Sequence, residues 1–104
     1  MEFKFPKTLH IDDVVWTMNY NKDSDGGSFH YSDCILEIGI KSYKTQPLRM
    51  FSVLIHELKE IIQTQQNTRY ERGDENGNYE FHYSHKEHTD LCWRLAGLLS
   101  KFIK

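Results

Sequence analysis

The sequence predicts a small α+β domain in which a twisted antiparallel or mixed sheet packs on two helices. Three observations predict it. Residues 14–20 and 34–41 alternate side to side with a period of two, as half-buried strands do. Residues 47–62 repeat apolar positions at three and four, as one face of a helix does. Residues 84–103 show the same helical repeat behind a capping signal. The length of 104 residues fits a single domain over 1–104, with no room for a second core.

The first strand is expected within His10 to Tyr20. Val14, Trp16, Met18 and Tyr20 fall on one side, and Val15, Thr17 and Asn19 on the other. The second runs from Cys34 to Lys41, with Cys34, Leu36, Ile38 and Ile40 sharing a face. Between them, NKDSDGGSFHYSD is rich in turn formers and is expected to be a surface loop. Asn21, Asp23, Asp25 and Gly26 copy the start of a calcium loop. The position that should hold the bidentate glutamate is Ser32, however, and the flanks read as strands.

The first helix is expected to begin near Pro47, a residue suited to the first turn. Its apolar stripe is Leu48, Phe51, Leu54, Ile55, Leu58, Ile61 and Ile62, and it frays in the polar run QTQQNT. Arg69 to Tyr83, with GDENG at its centre, reads equally as a hairpin or a long loop. The last helix opens with Ser84 and Glu87 three residues on, a capping box. His85, His88, Cys92, Leu95, Leu99 and Phe102 then form its expected inward stripe.

Composition excludes several function classes. The net charge of -2 provides no basic stripe, so nucleic-acid binding is disfavoured. No apolar run approaches the roughly 20 residues that span a bilayer, so no membrane role is expected. The start, MEFKFPKTLH, is short and broken by charge and Pro6, unlike a signal peptide. Cys34 and Cys92 form neither a dense disulfide framework nor a C-x-x-C pair. A soluble cytoplasmic protein is the expectation.

The chemistry concentrates in SVLIHELKEIIQ. His56 and Glu60 are four apart and project from one side of the helix, beside the apolar stripe. Glu57 points to a different side, as the base of an H-E-x-x-H helix does. A catalytic zinc commonly takes three protein ligands and keeps one open position, and two histidines with one glutamate are an established set. His56, Glu60 and a histidine of the last helix would complete that inventory. His88 is the first choice for the third ligand. His85 is the alternative third or a fourth, and Asp90 or Glu87 would orient the imidazole. The plainer reading of each residue is structural. His56 and Glu60 also make an ordinary i,i+4 pair, and histidines at a helix start are often hydrogen-bonded at a core edge. Cys92 and Trp93 read as packing residues.

The order of ILEIGIK (35–41), SVLIHELKEIIQ (52–63) and HTDLCWRLAGLLSKFI (88–103) resembles the minimal zincin-like proteins, a metallopeptidase-like family often encoded by phages and mobile elements. The resemblance is to the branch with H-E-x-x-E and a later histidine. It implies a zincin-like fold, a zinc cofactor on His56, Glu60 and His88, Glu57 as general base, and a peptide or protein substrate. Two departures from that pattern are Lys59 inside the motif and the long connection 68–83. The competing expectation is a non-catalytic binding module with a structural metal or none, in which His85 joins His88 to close the site.

Overall fold

β1 (Thr8–Ile11) and β2 (Val14–Asn21) form an antiparallel hairpin with Ile11 opposite Val14. The structure, a computed structural model, describes residues 2–71 and 79–104. The single strand expected from His10 to Tyr20 is thus two strands. The chain reverses at Asp12, whose φ of 55° is a left-handed conformation that a short aspartate tolerates well. β3 (Gly27–His30) and β4 (Ile35–Gly39) pair antiparallel. β4 also lies parallel to β2, so the sheet is mixed, with order β1-β2-β4-β3.

β3 corrects the reading of residues 21–33 as one surface loop. Four residues are too few for a period of two to stand out, and the strand exists because β4 supplies its hydrogen-bond partners. The loop proper is 22–26, and it crosses the end of β4. A Cβ on Gly39 would lie 2.3 Å from the Ser24 carbonyl oxygen, so only glycine permits this crossing. Asn21 and Asp25 of this stretch are engaged locally. Asn21 Oδ1 accepts from the Asp23 amide at 2.9 Å, and Asp25 accepts from the Ser42 amide and hydroxyl at 2.8 and 2.9 Å.

α1 (Pro47–Gln65) follows, with Pro47 opening it as the sequence predicts. It lies against β3 and β4. Its buried line is Met50, Leu54, Glu57, Leu58, Ile61, Ile62 and Gln63. Leu48 lies off this line and faces solvent, which corrects the N-terminal end of the expected stripe. Leu54, Leu58 and Ile61 close on Trp16, Met18, Leu36 and Ile38 of the sheet. Each such side chain, fully buried, contributes about 1.5–3 kcal/mol.

β5 (Arg69–Glu71) and β6 (Tyr79–Phe81) pair antiparallel, Arg69 opposite Phe81. Of the two readings of this stretch, the hairpin is the one observed. GDENG lies outside the described residues. α2 (His85–Leu99) then starts at the predicted capping box. The Glu87 amide donates to Ser84 Oγ at 3.2 Å, and the Ser84 amide donates to Glu87 Oε1 at 2.9 Å. A 3-10 turn, Ser100–Phe102, buries Phe102 in the core.

α2 is rotated from its expected setting. His85, His88 and Cys92 are exposed, Leu91 is buried, and Leu95, Leu98 and Leu99 are partly buried. At 100° per residue the inward face is turned by roughly 70° from the expected stripe. The polar residues on the real face hid it. Glu87 closes the cap, and Arg94 reaches Asp12 at 2.6 Å and Asp90 at 3.6 Å and donates to Gln65. No helix among the described residues is long and apolar enough to cross a membrane.

Candidate metal centre

The site forms where the edge strand β3 meets α1. Gly27 makes that approach possible. A Cβ there would lie 2.7 Å from Val53 Cγ1 and 3.0 Å from Glu57 Cγ, closer than any side chain tolerates without a shift. The strand therefore settles onto Glu57, which is only 7% exposed. Loss of water raises the Glu57 carboxyl above its ordinary value. Proximity to Glu60 adds to the rise, while His56 and Arg69 oppose it.

His56 and Glu60 lie on the same edge of the helix, one turn apart. His56 Nε2 stands 3.3 Å from Glu60 Oε2, with the His56 side chain 65% exposed and that of Glu60 15% exposed. One donor atom each from His56, Glu57 and Glu60 lie within 4.8 Å of one another. Glu57, expected on a different side from His56, thus shares a cluster with it. The two residues are about 100° apart on the wheel, and a glutamate side chain is long enough to close that gap. One imidazole nitrogen and two carboxylates are a donor set that suits a first-row divalent metal, zinc included.

His85 and His88 are not part of this cluster. His88 stacks on Tyr83 with ring centroids 5.7 Å apart, and its Nε2 lies 3.8 Å from Cys92 Sγ. Helix docking explains the separation. Gln66 Nε2 donates to the Glu87 carbonyl and to Asp90 Oδ2, both at 2.9 Å, so the first turns of α2 meet the end of α1. Gln66 is six residues beyond Glu60, roughly 9 Å along a helix axis. Asp90 and Glu87, expected to orient a ligand histidine, are engaged by Gln66, Arg94 and the capping box.

The group found beside Glu60 is Arg69 of β5, with Nε 3.9 Å from Glu60 Oε1. Its guanidinium carbon stands 3.6 Å from the centroid of the Tyr79 ring and 5.2 Å from that of Phe29. Sequence reasoning did not single out Arg69, Phe29 or Gly27. Their only sequence signal was the Gly-Gly pair and an aromatic-rich stretch, and neither reveals which residues meet across the fold. A groove of about 550 Å³ runs along β3 and its exit, with Glu57, Glu60, Arg69 and Tyr79 on its other side.

Comparison with known proteins finds no matching family model, no matching curated protein and no matching solved structure.

Proposed function

We propose that this protein is a zinc-dependent hydrolase of the zincin-like type, acting on peptide bonds. The observation that carries the proposal is the His56, Glu57 and Glu60 cluster, within 4.8 Å, whose two glutamates line a groove beneath a sheet edge. His56 and Glu60 would hold the metal. His88 stays the proposed third ligand and His85 its alternative, although both lie outside the cluster. A bound zinc would supply Lewis acidity at a substrate carbonyl and bring the pKa of a water to about 7.

Glu57 is assigned the proton transfers. Burial favours its neutral form, which moves the carboxyl toward the range where a group both takes and returns a proton near neutral pH. It would accept the proton of the attacking water and return it to the departing amine. Among the described residues β3 pairs with β4 alone, and its other edge could take an extended peptide as a further strand. That would run the peptide backbone past Glu57.

Elemental mass spectrometry on tag-free protein reconstituted with zinc tests the metal. Stoichiometric zinc is expected, lost in His56→Ala and Glu60→Ala. Loss in His88→Ala but not His85→Ala assigns the third ligand, and loss in both variants indicates a closed, structural site. Glu57→Gln is expected to keep zinc and lower peptide hydrolysis roughly 10²–10⁴-fold. No zinc after reconstitution would overturn the proposal in favour of a metal-free binding module. That second reading draws on one observation: His56 is largely exposed and pairs with Glu60 as ordinary i,i+4 partners do.

A further inference from the structure

The groove contains a cation that zinc hydrolysis leaves without a role. Arg69 stands beside the Glu60 oxygen that His56 does not approach, its side chain only 18% exposed. The guanidinium is fixed in place by ring contacts, close over Tyr79 and more distantly over Phe29. Its nearest carboxylate among the described residues, Glu60, is 3.9 Å from Nε, beyond hydrogen-bond distance. Nε is buried and, among the described residues, has no hydrogen-bond partner. A buried donor left unmatched is costly, and a guanidinium clamped by aromatic rings cannot swing away to water to relieve that cost.

The same guanidinium lines the groove along β3. A planar fork of N–H donors, fixed in orientation and with its Nε unmatched, suits a carboxylate, which offers two oxygens in one plane. Glu57 and Glu60 repel an anion placed at random in this groove. An incoming carboxylate is therefore attracted in this groove only where it meets the Arg69 guanidinium. A metal on His56 and Glu60 would draw charge from Glu60 and weaken its hold on Arg69, leaving the guanidinium more open to a second anion.

We propose that Arg69 is the specificity-determining residue of this groove and that it selects peptides bearing a carboxylate, either the chain terminus or an acidic side chain. This rests on the reading of the groove as a peptide site. It does not require the metal.

The test follows the Arg69 Nε–H resonance by nitrogen-15 NMR, on zinc-reconstituted and on chelator-treated protein. Four probes are titrated. Two are acetyl-Gly-Phe-Ala with a free carboxylate and the same peptide as its amide. The others are acetyl-Gly-Glu-Ala amide and its glutamine counterpart. At least one carboxylate probe is expected to move the resonance and to bind about tenfold or more tightly than its uncharged partner. Which one responds identifies the source of the carboxylate. Arg69→Met, which keeps the stem but removes the charge, is expected to abolish the preference. Arg69→Lys is expected to retain part of it. An unmoved resonance with all four probes, or a preference that survives Arg69→Met, would overturn the assignment. The ratio between paired probes separates recognition from a general loss of fold, which would weaken both alike. Protein that holds no zinc yet shows the carboxylate preference would sink the hydrolase reading and leave Arg69 recognition standing.

Discussion

α1 and α2 both carry apolar repeats at helical spacing, yet they are used differently. α1 buries seven residues, two of them polar, whereas α2 fully buries only Leu91. α1 is enclosed because it lies under the edge strand β3 and against the sheet. α2 lies along α1 and holds on through Leu91, three partly buried leucines and the Arg94 network. The ionisable groups follow the same division. A carboxylate on α1, Glu57, is buried and electrostatically stressed, while the histidines of α2 stand in solvent. The perturbed carboxylate therefore lies on the enclosed helix, where loss of water changes its protonation.

The largest expected effect tests the packing side of this contrast. Leu58→Ala is expected to cost about 2–5 kcal/mol of unfolding free energy in urea, and Leu91→Ala a value near the lower end of that range. Equal losses would mean that α2 is as integral to the core as α1.

A smaller effect sharpens the electrostatic side. Burial holds the Glu57 carboxyl above its ordinary value of 4.5, so the metal-free fold binds that proton more tightly than the unfolded chain does. That contribution is fully present below 4.5 and is lost as pH rises through the raised folded value. Glu57→Gln, neutral throughout, is expected to be more stable than the native chain near neutral pH, with the gain gone in acid. Chelator-treated protein melted at both pH values measures it. A gain independent of pH would show that Glu57 is not desolvated in the fold.

The smallest effect concerns how α2 begins. Ser84→Ala removes the acceptor of the capping box and is expected to cost about 1 kcal/mol in the same urea experiment. No loss would mean that the first turn of α2 is held by Gln66 alone.

The sequence was readable where a pattern runs long enough to average over its exceptions. β4 and the body of α1 emerged from their periods, and the cap of α2 from two residues three apart. His56 and Glu60 were legible as a pair because a helix fixes the distance between positions four apart, whereas Glu57 was expected on a different side and joined them only in the fold. β3 was not, and the β5–β6 hairpin was only one of two equal readings, since three or four residues carry too little periodicity to decide. The rotation of α2 was hidden by Arg94 and Glu87, polar residues on the inward side whose partners no pattern along one helix shows.

The sequence by itself determined an α+β chain, a helix that opens at Pro47, and a histidine and a glutamate one turn apart along one side of it. Only the tertiary structure decided that Gly27 brings a strand down onto Glu57, that Arg69 rather than His88 stands beside Glu60, and that β3 is an edge of the sheet. The reason is physical. Spacing along a helix is set by covalent geometry, whereas burial and charge at a site are set by whatever the rest of the chain places next to it.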